Sequence, residues 1–522
     1  MSLYLGIDSS TQSMTGLVID TDEQAIVAEA SINFDEHFAE AYDLESGVVD
    51  FGHGVVHGQP LVWVEALDFL FEHLQAAGVD LGRIEAIAGS GQQHGTVYLN
   101  EMAEEVLEGL SGELPLKDQV SNIFSRATAP VWRDTSTTTQ CREIEANVGG
   151  TGQLLSLTGN TAFERFSGPQ IRKFWQEEPD NYEETDCICL VSSFIASLLA
   201  GRLVPVDPGD GSGTNLMDIR TRQWAPTALE ATAPDLAARL LPVTPSTKSA
   251  GTISPYFVQR YRMNDTCRVL PFSGDNPCSL IGLGLVQPGQ IAVSLGTGDT
   301  LFACIPDPVV SEDGEGCLFA SPDDTHYMAL ICFLNGSLAR EAVRDRYALD
   351  WEGFAQCLKS THPGNNGGMM LPYFDPEIVP HIPKAGVVRE NLEADDASAN
   401  VRAVVEAQAM SSKIHARWME VPITSISVTG GASANEGILQ IFADVHGCPV
   451  QRFETTNGAA LGAALRASQG HHPEIPWPDI VEPFTQPASG FIVQPDPAAV
   501  ETYAGLIPDY EALERRHQET IE

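Results

Sequence analysis

Two short segments far apart in this chain read as copies of one another, and nothing else constrains its fold as strongly. Leu5-Gly6-Ile7-Asp8-Ser9-Ser10-Thr11-Gln12-Ser13 near the start is echoed by Val293-Ser294-Leu295-Gly296-Thr297-Gly298-Asp299-Thr300 past the middle. Each is an apolar strand, a tight turn of Gly, Ser, Thr and Asp, and a second apolar strand, over 14–19 in one copy and 301–305 in the other. Such a turn aims backbone N–H groups and hydroxyls into one concavity, which suits phosphate oxygens. Two copies, each opening half of the chain, predict a nucleotide held between two similar lobes.

The rest of the pattern is alternating α/β. After the hairpin over 4–19 come a third strand over 25–32 and a loop over 34–58 rich in Gly, His and acids. Pro60 suits the first turn of a helix that runs to Ala77, with Val62, Val64, Leu67, Leu70 and Phe71 as its apolar stripe. A strand over 84–88 runs into Gly89-Ser90-Gly91-Gln92-Gln93-His94-Gly95, and helices are expected over 137–147, 168–177 and 192–199. At 522 residues the chain is too long for one core. A seam near 265–271 separates a domain over 1–268 from one over 269–480. In the second, a strand over 425–429 ends in Gly430-Gly431 before a helix over 435–446, and a helix of Ala, Leu and Gly over 458–467 is built for close packing. The Pro-rich stretch 473–497 reads as a linker and 498–518 as a closing amphipathic helix, so 481–522 forms a third segment.

Several residues at the ends of these elements carry chemistry. Asp8 ends an apolar strand at a turn, where a carboxylate reaches a magnesium ion on nucleotide phosphates. The turn holds no Lys or Arg, and no GxxxxGK[ST] loop occurs anywhere, so a Walker site is excluded. In Ser273-Gly274-Asp275-Asn276-Pro277-Cys278, Pro277 and Asn276 fit a helix start, which places Asp275 at the positive end of a helix. There an ionised carboxylate either caps the helix or accepts the proton of an attacking hydroxyl. Gly430 and Gly431 permit close approach of a flat or anionic ligand to the backbone, though a plain strand-to-helix turn also explains them. Gln92, Gln93 and His94 follow a strand and suit hydrogen bonding to a sugar or polyol. Arg165, between Phe163 and Phe166, either covers a substrate oxygen or pairs with Glu164.

The order of these motifs resembles that of the FGGY carbohydrate kinases, members of the actin-like ATPase superfamily, over essentially the whole chain. The segments that carry the resemblance are 90–98 (SGQQHGTVY), 132–145 (WRDTSTTTQCREIE), 164–173 (ERFSGPQIRK), 209–216 (GDGSGTNL), 273–276 (SGDN), 335–340 (NGSLAR) and 430–439. It implies two actin-like, ribonuclease H-like lobes with a nucleotide and sugar cleft between them. It also implies Asp8 with Thr11 as the first phosphate and metal turn and Gly296 with Thr297 as the second. Asp275 falls on the family's catalytic base. Gln93, His94, Arg165, Asp275 and Asn276 fall on the ketose site, and Gly430, Gly431 and Asn435 on the adenosine site, with Trp351 near the adenine. The reaction implied is transfer of a phosphoryl group from ATP, with Mg2+, to D-xylulose at O5. Ribulose, another ketose or a polyol is the alternative acceptor. A non-catalytic sugar-sensing protein on the same fold is the rival of another class, and it has no need of a carboxylate at 275 beside intact phosphate turns.

Charge limits the partners. The formal net charge of −42 repels nucleic acid and anionic membrane surfaces, so neither is an expected partner, while a homodimer is left open. No apolar run approaches the roughly 18 residues that span a bilayer, and the first residues enter a strand at once, so no span and no secretory leader are expected. Ten scattered cysteines without a CxxC pair read as reduced thiols of a cytoplasmic protein. Lysine is scarce, at Lys117, Lys173, Lys248, Lys359, Lys384 and Lys413 alone. So acidic a chain repels itself, and counterions screen that repulsion. The thermal midpoint is therefore expected to rise between low and molar potassium chloride, and a midpoint that stays level removes salt adaptation as the reason for the charge.

Overall fold

Side-chain alternation along the first strand sets out the layers of the first half. In Leu3–Ser9, Leu3, Leu5 and Ile7 enter one apolar core with Trp63, Leu67, Leu70 and Phe71, while Tyr4 joins a second core on the opposite face. The structure is a computed structural model and describes residues 2–312, 314–453, 457–487 and 491–521. Its first sheet runs in the order Gly251–Thr252, Arg268–Val269, Ile84–Gly91, Leu3–Ser9, Ser13–Asp20, Ala25–Asn33, and Ser273–Gly274 also pairs with Ile84–Gly91. Leu3–Ser9 is antiparallel to Ser13–Asp20 and parallel to Ile84–Gly91.

Helices cover both faces of this sheet. The helix expected from Pro60 forms over Pro60–Ala76, with Pro60 in its first turn and its apolar stripe buried. On the other face lies Gly458–His471, whose Ala460, Leu461, Ala464 and Leu465 pack with Tyr4, Leu17, Ala86 and Ala88. This helix comes unusually close. A Cβ on Gly6 would stand 2.0 Å from the Ala460 carbonyl oxygen, one on Gly462 1.9 Å from that of Cys278, and one on Gly282 1.9 Å from that of Gly458. The helices Gly458–His471 and Asp275–Gly282 therefore touch backbone to backbone.

Two compact units result. One comprises Met1–Val286, Leu318–Met328 and Thr456–Thr485; the other comprises Gln287–Cys317, Ala329–Thr455 and Gln486–Glu522. The first unit runs past the seam expected near 265–271, because Arg268–Val269 and Ser273–Gly274 are strands of its sheet. In the second unit, Asp299–Ile305, Gln290–Leu295, Ser425–Thr429, Val450–Arg452 and Ile492–Val493 are neighbours in that order. Gln290–Leu295 is antiparallel to Asp299–Ile305 and parallel to Ser425–Thr429, the same local arrangement as in the first unit. The closing helix forms over Pro497–Ile521 and buries Tyr503, Ile507, Tyr510 and Leu513.

Two stretches read as irregular are not. Within 34–58, Phe34–Tyr42 is a helix, because the Asn33 side chain accepts from Glu36 N and Phe34 and Phe38 share a buried face. Val49–Gly52 and Val55–Gly58 then pair as strands. Within 473–497, Trp477–Val481 is a helix and Ile492–Val493 pairs with Val450–Arg452, while 488–490 lie outside the described residues. Cys141, Cys187, Cys189, Cys267, Cys278, Cys357 and Cys448 are free thiols. No helix among the described residues is long and apolar enough to cross a membrane. The backbone contact at Gly462 leaves no space for a side chain, so Gly462→Val lowers stability by on the order of 3 kcal/mol, read as a fall in the urea midpoint.

Candidate active site

Strand register brings the first set of acids together. Asp8 lies on the same face of its strand as Tyr4 and Gly6, and pairs in register with Ser90 at the ends of two parallel strands. Asp8 is buried, and its carboxylate accepts from Ser90 Oγ at 2.7 Å and from Ser10 Oγ. Burial pushes the Asp8 carboxyl up, and these two hydroxyls oppose that. Thr11 Oγ1 accepts from Trp132 Nε1 at 2.7 Å and donates to Gln92 Oε1 at 3.3 Å.

Asp275 begins the helix Asp275–Gly282. Its Oδ1 accepts from Asn276 N at 2.8 Å, Asn276 Nδ2 at 3.1 Å and Gln93 N at 3.4 Å. None of these donors goes to Oδ2, which is left to take a proton. Burial first, and the Asp8 carboxylate second, push the Asp275 carboxyl up to about 7. Asn276 Nδ2 also reaches Gln93 Oε1 at 2.9 Å, and the buried Gln93 Nε2 has no hydrogen-bond partner among the described residues. Asp8, with the Ser10 and Ser90 hydroxyls on its carboxylate and the Asp275 carboxyl raised in part by its charge, belongs to an oxygen-only donor set that fits a hard divalent cation.

His94 sits in left-handed backbone, φ 75°, with its carbonyl held by Ser167 Oγ at 2.9 Å. Its ring stacks on Phe166 with centroids 4.3 Å apart. Burial, with the charge of Arg165 adding to it, pushes the imidazole down to about 3, so it is neutral. Its Nδ1 lies 2.6 Å from the Gly213 carbonyl oxygen. A carbonyl only accepts, so Nδ1 carries the proton and Nε2 is an acceptor, suited to a hydroxyl donor. Arg165 lies over the Phe163 ring at 5.3 Å. The ion pair with Glu164 weighed above does not form; Glu164 Oε1 accepts from Thr138 Oγ1 at 3.1 Å instead.

The second unit gathers the glycine residues. Gly296 and Thr297 lie in the turn closed by the Leu295 and Asp299 pair, with Thr297 exposed. Gly430 has φ 87°, and a Cβ there would stand 2.5 Å from the Leu295 carbonyl oxygen, so the two glycine turns lie side by side. Gly431 faces open space. Asn435 caps the helix Glu436–His446, its Oδ1 accepting from Gly437 N at 3.0 Å and Ile438 N at 3.3 Å. Trp351 starts the helix Trp351–Ser360, is 45% exposed, and lies under the Arg344 guanidinium at 4.5 Å. Trp351 also meets the Phe354 ring, with centroids 5.5 Å apart, and Leu358, nearer the other end of that helix, lies 3.2 Å from where a Cβ on Gly437 would stand.

Sequence reasoning did not single out Ser10, Ser90, Trp132 or Gly213 as site residues. Ser90, Trp132 and Gly213 lie in the unusual segments 90–98, 132–145 and 209–216, which was the available signal.

Models of the FGGY family of carbohydrate kinases match this chain in two parts, the N-terminal domain over 121–282 and the C-terminal domain over 291–470. A xylulose kinase of Mus musculus is 43% identical, with 98% of this chain and 94% of that protein aligned. Xylulose kinase 2 of Arabidopsis thaliana is 41% identical over 90% of this chain and 87% of its own. Among solved structures, a xyloylose kinase from Brucella ovis superposes with a TM-score of 0.82 at 23% identity, covering 99% of this chain and 100% of that one. A ligand-bound xylulose kinase from Lactobacillus acidophilus gives 0.81 at 18% identity, covering 100% and 99%. At such identities the structures speak for the fold, the two-domain actin-like and ribonuclease H-like architecture.

A carboxyl lifted by folding weakens the fold as it ionises, so wild-type stability falls as pH rises towards 7. Asp275→Asn has no such loss. Its advantage over wild type in urea melts should grow between about pH 4 and about pH 8, by on the order of 4 kcal/mol; an advantage independent of pH would contradict the lifted carboxyl.

Proposed function

The chain belongs to the FGGY family of carbohydrate kinases, and we propose that it transfers the terminal phosphoryl group of ATP to O5 of D-xylulose, with Asp275 as the base. The chain is a carbohydrate kinase, and the product pair is D-xylulose 5-phosphate and ADP. The choice of acceptor rests on the relatives: the Mus musculus protein, 43% identical over nearly the whole chain, is a xylulose kinase.

The observation that supports the base is Asp275 itself, with Oδ1 occupied by three N–H donors and its carboxyl lifted to about 7. A base whose proton affinity lies near the working pH is best placed to exchange a proton. Asp275 Oδ2 takes the O5 proton as O5 bonds to the γ-phosphorus and the bond from that phosphorus to ADP breaks. Neutral His94 accepts from a sugar hydroxyl through Nε2, and Arg165 and the unpartnered Gln93 Nε2 donate to others. Asn276 holds Gln93 and Asp275 in place.

Thr11, Gly296 and Thr297 meet the phosphates, and Gly430, Gly431 and Asn435, with Trp351, meet the adenosine. Mg2+ would be held by Asp8 and would neutralise phosphate charge during transfer. The free thiols support a reducing compartment, the cytoplasm.

A coupled ADP assay over D-xylulose, D-ribulose and polyols, with and without Mg2+, tests the reading; D-xylulose should show the highest kcat/KM, and only with the metal. In Asp275→Ala, kcat should fall by about 10²–10⁴ while ATP still binds. Near-normal turnover would remove Asp275 from the role.

A further inference from the structure

The second glycine turn is held by a buried ion pair that the chemistry above does not use. Arg340, 0% exposed, donates from Nη1 to Asp299 Oδ2 at 2.8 Å and from Nη2 to Asp299 Oδ1 at 2.9 Å. Asp299 is the residue that immediately follows the Gly296-Thr297-Gly298 turn, and Arg340 lies one helical turn inside Ser337–Arg346. Around this fork both Nη groups of Arg340 and the residues beside them are tied to other segments of the same unit, while the buried Arg340 Nε has no hydrogen-bond partner among the described residues. Arg340 Nη1 also reaches Gln408 Oε1 at 2.8 Å, and Gln408 Nε2 donates to the carbonyls of Asn335 and Gly336 at 2.7 and 2.9 Å. Asn335 is gripped in turn by Glu377 Oε2, which accepts from its N and its Nδ2, each at 2.9 Å. Ser337 N donates to Gly296 O at 2.8 Å, and a Cβ on Gly336 would lie 2.6 Å from Asp299 N. The turn is thus fastened at both feet and exposed at its tip.

A buried ion pair of this kind is seldom better for stability than two apolar side chains of the same volume, so its value lies in geometry. The turn has no Lys or Arg of its own, and a phosphate meeting it would depend on backbone N–H groups and the Thr297 hydroxyl. Such donors stabilise an anion only when their directions are set beforehand. We propose that Asp299 and Arg340 are positioning residues for nucleotide phosphate: their bidentate pair presets the Gly296–Gly298 turn. This rests on the kinase reading above. Neither residue touches the substrate; the pair acts through the backbone it fixes.

The test separates geometry from folding. Wild-type enzyme is first shown to form ADP with D-xylulose, and a lack of turnover there would count against the kinase reading rather than against the pair. Arg340→Met leaves Asp299 buried without its partner and lowers both the thermal midpoint and ATP affinity. The double variant Asp299→Leu/Arg340→Met removes both charges and should regain the wild-type midpoint. Its KM for ATP should stay at least tenfold raised, with KM for the sugar within twofold. Recovery of KM for ATP together with the midpoint would overturn the proposal, since the pair would then matter for folding alone. Gln408→Met keeps the fold's apolar volume and removes only the ties to Arg340, Asn335 and Gly336. It should raise KM for ATP three- to tenfold, and an unchanged KM would likewise count against the positioning role.

Discussion

The close packing of the helix Gly458–His471 against the helix Asp275–Gly282 and the strand Leu3–Ser9 is the contact on which the arrangement of Asp8 and Asp275 depends. Glycine at 6, 282 and 462 lets main chain meet main chain, where any side chain would stand about 2 Å from a carbonyl oxygen. Arg466, on the same helix and almost wholly buried, donates to the carbonyls of Gly89 at 3.0 Å and Pro271 at 2.8 Å. It thereby ties together the end of the strand that carries Ser90 and the approach to Asp275. Asp8 and Asp275, far apart in the chain, are neighbours because these backbones cannot separate without losing that packing.

What packing brings together, desolvation then tunes. Asp8, Asp207, Asp210 and Asp275 are all shifted upward, in each case by burial before anything else. Asp207 has the Arg466 charge beside it, and Asp210 accepts from Ser192 Oγ and is held well above the ordinary carboxylate range. Taking a charged carboxylate out of water is unfavourable, which is why burial leads each of these shifts. The same physics leaves Asp275 near neutrality, with one oxygen bound up by N–H groups and the other open. In the second unit the buried Arg340 and Asp299 instead form a bidentate pair beside the Gly296–Gly298 turn.

Local pattern reached a long way into this structure. Asp8 and Asp275 were legible because strand alternation and helix-start residues place them at element ends whatever the rest of the chain does. Pro60 and its apolar stripe marked a helix for the same reason. The helix at Phe34–Tyr42 was missed because its face is only Phe34 and Phe38 among acids, and tertiary burial outweighed a polar composition. The strand at Ile492–Val493 was missed because two residues carry no period; it exists by pairing with Val450–Arg452. Trp351 was named through the family resemblance alone, since no local pattern marks it; it lies 45% exposed at the start of its helix, under the Arg344 guanidinium.

The amino-acid pattern alone determined the α/β class, the two matching strand–turn–strand segments and the residue types at their tips, since these follow from torsional preference and from periods of two and 3.6 residues. Only the tertiary structure decided that Gly213 sets the tautomer of His94, that burial and then the Asp8 charge lift Asp275, and that Arg340 pairs with Asp299. Those outcomes depend on distances between atoms remote in the chain and on how much water is excluded around them, and neither quantity is written in any local stretch.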